Sequence, residues 1–165
     1  MKKPIAAVVA SLMAGTAHAR VSCEDFKAKV NDTLQGQSKT ALEWERASSF
    51  KGFNSVNPSA SGIKAAIECN DAGELVELGA SVPSLDDADK TAEPVFVRGM
   101  LLAIDPKLTS VQADDLATKA RQRLVSVSKA TGSYRMPMPG YVVTFEKAPG
   151  FKGGVRFRYE LEPGR

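Results

Sequence analysis

Near the start of the chain, Cys23, Phe26, Val30 and Leu34 recur at intervals of three, four and four residues, with polar side chains between them. That spacing places all four on one face of an amphipathic helix. Ser22 stands before the run and Asp25 three positions after it, the arrangement of a capping box, and Gly36 supplies the stop. Beyond the helix the period changes to two. Leu42 and Trp44 alternate with Glu43 and Glu45, so 40–47 reads as a strand. Residues 48–61 are rich in Ser, Asn, Gly and Pro and read as a long connection. Alternation resumes at 62–69, with Ile63, Ala65, Ile67 and Cys69 on one face and Lys64 and Glu68 on the other. The turn sequence Asn70-Asp71-Ala72-Gly73 leads to a hairpin partner over 74–81.

The middle of the chain returns to helical spacing. Ser84 can cap a first turn that carries Asp86, Asp87 and Asp89, carboxylates suited to the positive end of a helix dipole. A helix starts or restarts at Glu93-Pro94, presents Phe96, Val97, Met100, Leu101 and Ile104, and ends at Asp105-Pro106. The segment 109–130 is the longest helix: Thr109 and Gln112 form a capping box, and Ala113, Leu116, Ala117, Ala120, Leu124 and Val127 make one stripe before Gly132. The last segment is a β-hairpin. Tyr141, Val143 and Phe145 point one way, and across the turn at 149–154 Val155, Phe157, Tyr159 and Leu161 match them, while Arg156, Arg158 and Glu160 face out. Hairpins flanking a helical middle predict an α+β fold. The expected form is an antiparallel sheet of about five strands with three helices on one face, in the order α-β-β-β-α-α-β-β.

Residues 1–19 stand outside this pattern. Lys2 and Lys3, the apolar run from Pro4 to Gly15 and the Ala17-His18-Ala19 site compose a cleavable secretory signal peptide. The run is too short for a membrane-spanning helix, and Arg20 fits poorly in a lipobox before Cys23. Cleavage leaves residues 20–165 as one expected α+β domain, outside the cytoplasm. The lysine pair and alanine-rich core suit the periplasm first and full secretion second. In such an oxidising compartment Cys23 and Cys69, the only cysteines, are expected to form a disulfide. Without a C-x-x-C motif, a redox role for Cys23 at its helix N-terminus is the lesser reading.

Cleavage also changes the charge. The full chain carries +3, and losing Lys2 and Lys3 leaves 20 basic against 19 acidic side chains. A nearly neutral domain lacks the electrostatic footprint of a nucleic-acid binder. The charge is nevertheless uneven: residues 20–93 hold 8 basic and 13 acidic groups, and residues 94–165 hold 12 and 6. The halves can attract each other within the fold, or the basic half can meet an acidic protein partner or an anionic envelope surface. Lys152, Arg156 and Arg158 form the candidate binding face for such a partner, against the plainer reading of a solvated sheet surface.

The signal peptide removes the only histidine, His18. That excludes a Ser-His-Asp triad, a Cys-His pair and a His-ligated zinc site from the mature chain. Asp86, Asp87 and Asp89 lack the spacing of a calcium loop and are better explained as a helix start. Glu43 and Glu45 are separated as any i,i+2 pair on a strand would be, so they single out no glycosidase. The glycines at 150–154 join two strands rather than a strand and a helix, which does not support a phosphate loop. Met136 and Met138 could offer thioethers to copper(I), but methionine more commonly fills gaps in a core. No catalytic residue, metal or cofactor is assigned. The expected function is a small exported, non-catalytic binding or accessory protein. The alternatives are a carboxylate-dependent hydrolase of a cell-envelope polymer and a secreted effector or inhibitor.

Overall fold

A computed structural model describes residues 20–46, 62–82, 92–126, 132–149 and 155–164. The elements are α1 (Cys23–Gln35), β1 (Glu45–Arg46), β2 (Lys64–Cys69), β3 (Leu75–Val82), α2 (Ala92–Ile104), α3 (Ser110–Ser126), β4 (Gly132–Met138), β5 (Tyr141–Pro149) and β6 (Val155–Pro163). The strands form one sheet in the order β1-β2-β3-β6-β5-β4, antiparallel except for the two-residue parallel contact of β1 with β2. The fold is α+β.

Strand register explains the core. Met136, Val143, Leu161, Leu78 and Ile67 stand side by side across five strands, and all are buried. The next row brings Tyr134, Phe145, Ala80 and Ala65 into line on either side of position 159. Alternation along each strand puts these rows on one face, and that face shares a single apolar cluster with α1, α2 and α3. The expected stripe of α1 is fully inside: Cys23, Phe26, Val30 and Leu34 are all buried. Helices α1 and α2 approach closely because Gly99 has no side chain. A Cβ built there would lie 3.1 Å from the Cα of Val30 and 3.2 Å from the Cβ of Thr33.

Local signals set the element ends. The Ser22 hydroxyl accepts from the Asp25 backbone N–H at 3.0 Å and donates to its carboxylate at 2.7 Å. At α3, the Thr109 N–H donates to Gln112 Oε1 at 2.8 Å and the Gln112 N–H returns to Thr109 Oγ1 at 3.3 Å. Asn70 Oδ1 accepts from the N–H groups of Ala72 and Glu74, which closes the β2–β3 turn with Gly73 at φ +77°.

Three expectations need correction. The 40–47 strand shrinks to Glu45–Arg46, because the Asn31 side chain occupies both backbone groups of Leu42: Leu42 N–H donates to Oδ1 at 2.9 Å and its carbonyl accepts from Nδ2 at 3.3 Å. A side chain has replaced the ladder there. Cys69 does not follow Ile63, Ala65 and Ile67 inward. A register shift between Glu68 and Cys69 breaks the alternation and leaves Cys69 exposed. Gly132 does more than stop a helix, since it opens β4, an additional strand that makes the order α-β-β-β-α-α-β-β-β. The second helix begins at Ala92, beside the expected Glu93-Pro94 start, and Pro94 sits in its first turn where its missing N–H costs nothing. The Asp86, Asp87 and Asp89 cluster, the 48–61 connection, Val127 and the 150–154 glycines lie outside the described residues.

The segment leading into α1 is pinned to the sheet. Leu75 N–H donates to the Val21 carbonyl at 2.9 Å and Cys23 N–H to the Gly73 carbonyl at 2.8 Å. The buried Tyr141 hydroxyl accepts from Val21 N–H at 3.1 Å and donates to the Leu75 carbonyl at 3.2 Å, so one phenol joins the amino-terminal segment, β3 and β5. Burial raises its pKa above the ordinary 10.0; the hydrogen bond from Val21 and the charge of Arg20 oppose this, and Glu74 adds to it. Because the folded value is the higher one, Tyr141's contribution is complete below about pH 10 and is lost as pH rises through the folded value. Tyr141→Phe should cost about 1–3 kcal/mol at pH 8, from two partners left unpaired. The gap to the parent should narrow above pH 10. Urea denaturation at pH 8 and pH 11 measures both, and a gap that stays constant would contradict this role for the phenol.

Candidate functional site

The candidate site is a cleft between α2 and α3. Helix α2 is apolar almost throughout, and its only charged residues are Glu93 and Arg98, five positions apart. On α3 Asp114 and Arg121 lie seven positions apart on one face. The two helices run in opposite directions, so each charge on α2 meets its opposite on α3. Arg98 grips Asp114 with two parallel bonds, Nε to Oδ1 at 2.6 Å and Nη2 to Oδ2 at 2.7 Å. Arg121 pairs with Glu93. Such fork-on-carboxylate geometry fixes direction as well as charge.

Between the two pairs lies a cavity of about 300 Å³. Its walls are the four charged side chains with Thr118 and Gln122, and its apolar lining comes from Pro94, Val97, Ala117, Leu124 and Phe145. Phe145 comes from β5 and Leu124 from the last turns of α3, so sheet and helices together form the cleft. The volume sits at the lower end of the range for small-molecule sites. The exposure of the four charges is asymmetric. The Glu93 side chain is 4% exposed against 36% for Arg121, and Arg98 is 23% exposed against 41% for Asp114. The cleft therefore offers one guanidinium and one carboxylate toward solvent, each backed by a more enclosed partner.

No family model, curated protein or solved structure matches this chain. The site is accordingly read from its own chemistry.

Of the residues singled out by the sequence, Cys23 and Cys69 are joined by a disulfide across 46 positions. Lys152 lies outside the described residues. Arg156 and Arg158 occupy β6, where the register sets position 156 opposite Ala148 and position 158 between Glu146 and Ser81. The same strand carries Glu160 and Glu162, and Glu162 accepts from Arg135 of β4 at 3.2 Å. Acidic positions thus follow the expected basic ones along the strand, and Glu146 is the register partner of position 158. Met136 is buried and Met138 packs against the core, both on the edge strand β4. Among the described residues no group of three or more His, Cys, Asp or Glu side chains could hold a metal ion. No helix among them is long and apolar enough to cross a membrane.

A second, more open depression of about 350 Å³ adjoins the cleft through Gln122 and is lined by Leu116, Lys119, Arg123, Tyr134 and Met136. Arg123 lies over the Tyr134 ring, 4.8 Å from its centre. Sequence reading missed Glu93, Arg98, Asp114 and Arg121 as a group, because they meet only when two helices pair. The available signal was an apolar helix interrupted by just two opposite charges.

Proposed function

We propose that this protein is exported, with residues 1–19 as its cleaved signal, and acts without catalysis as a binding protein whose ligand site is the α2–α3 cleft. The observation that carries this reading is the state of the two carboxylates in the cleft. Both Asp114 oxygens accept from Arg98, and Glu93 is enclosed against Arg121. A general acid or base gains or loses a proton during turnover, and for these carboxylates that would break the ion pair that holds each of them. Groups clamped by guanidinium are suited to holding a ligand and poorly placed for proton transfer, which favours the binder over the carboxylate hydrolase. Export to the periplasm is supported by the Cys23–Cys69 disulfide, a bond that persists in oxidising compartments. The chain is also anchored to the sheet immediately after the proposed cleavage point, through Val21 and Cys23.

Native mass spectrometry after incubation with the low-molecular-mass fraction of a cell-envelope extract tests the reading. The protein should retain a small molecule and release it chemically unchanged. Ala117→Trp, which puts an indole into the cleft, should lose that molecule. Release of an altered product would establish catalysis, and retention by Ala117→Trp would place the site elsewhere.

A further inference from the structure

The two more exposed charges of the cleft stand on α3 at a fixed spacing of backbone positions. Asp114 and Arg121 are seven positions apart on α3, which is two turns and about 10 Å along the axis. Thr118 stands between them at the middle turn, so one wall runs carboxylate, hydroxyl, guanidinium. The facing surface is apolar, with Val97 and Phe145. A ligand matching this wall carries a positive group at one end, a negative group about 10 Å away, polar groups between them and an apolar body turned inward. A single amino acid is too short, and a simple fatty acid has only one charge. An extended peptide of three residues covers about 10 Å and has an ammonium at one end, a carboxylate at the other and amides between.

Resting on the cleft as binding site, we propose that its ligand is a short peptide of three residues with free termini and an apolar side chain. The ammonium sits at Asp114, which keeps lone pairs beyond those taken by Arg98 because each carboxylate oxygen has two. The carboxylate sits at Arg121, whose guanidinium stands at the opening while Glu93 holds it from behind. Thr118 and Gln122 meet the backbone amides. The apolar side chain enters between Val97 and Phe145. The net charge of the four walls is zero, which suits a zwitterion and gives no general attraction for anions or cations.

Isothermal titration calorimetry on the disulfide-intact protein decides this with three peptides and one apolar probe. Ala-Leu-Ala with free termini should bind. Acetylating its amino terminus, or amidating its carboxyl terminus, should each weaken binding about ten- to a hundredfold, the loss expected for one charge-assisted contact. Asp114→Asn should weaken the free peptide in the same range yet leave the acetylated peptide unchanged, a pattern that general loss of structure would not produce. The uncharged probe is N-phenyl-1-naphthylamine, tested against the parent and Ala117→Trp. If the blocked peptides bind as well as the free one, the zwitterion assignment is overturned. If no peptide binds but the probe does, and Ala117→Trp abolishes that, the peptide class is wrong while the cleft stands. If neither peptide nor probe binds, both readings fail.

Discussion

Replacing Cys23 and Cys69 together by alanine should lower the free energy of unfolding by about 4 kcal/mol. The bridge closes 46 positions, and in the loop-entropy description that closure removes this much freedom from the unfolded chain. The folded state should change little, because the segment leading into α1 is held independently by the Val21–Leu75 and Cys23–Gly73 backbone bonds and by Tyr141. The two causes can be separated. If the bridge acts on the unfolded chain, its removal should expose more surface on unfolding and steepen the dependence on urea. Urea denaturation of the parent and the double variant reads midpoint and slope together. An unchanged midpoint would show that the disulfide is dispensable to stability.

Arg121→Met should be the most damaging single change in the cleft. Glu93 is 4% exposed at its side chain, so removing its partner strands a charge that water scarcely reaches. Breaking a buried pair from one side costs about 3–5 kcal/mol. The lower end applies here because Arg121 itself is 36% exposed, and its loss opens a path for water. Pairing the change with Glu93→Leu should recover most of the loss, since an apolar pair of similar size fills the space without a charge to desolvate. Urea denaturation of the parent and of the single and double variants at pH 7 measures this. A single variant as stable as the parent at pH 7 would mean that Glu93 is solvated and that the ion pair does not organise the cleft.

Where local chemistry decides structure, the sequence was easy to read. The Ser22–Asp25 and Thr109–Gln112 caps, the Asn70–Gly73 turn and the four-residue stripe of α1 each follow from neighbours within a few positions. Misreadings arose where a distant group took over. Asn31 reaches eleven positions to claim the backbone of Leu42, which no alternation of Leu42 and Trp44 can reveal. The bulge at Glu68–Cys69 depends on pairing with β3. Strand β4 was legible in principle: Tyr134, Met136 and Met138 alternate up to Pro139-Gly140, a two-residue turn with Gly140 at φ +76°. Reading Met136 and Met138 only as gap-filling side chains leaves it unseen, although proline is tolerated on an edge strand such as this one. The cleft lies furthest from local reading. Its charges are 16 and 28 positions from their partners and gain meaning only from the antiparallel pairing of α2 and α3.

The cleft and the β6 surface are two candidate ligand surfaces among the described residues, and they lie on different elements. Amide chemical-shift mapping, with the ¹⁵N-labelled protein titrated with the low-molecular-mass envelope fraction, separates them directly. Saturable shifts centred on Val97, Arg98, Asp114, Thr118 and Arg121 are expected if the α2–α3 cleft is the binding site. Shifts centred instead on Arg156 and Arg158, or none at any ligand concentration, would contradict it.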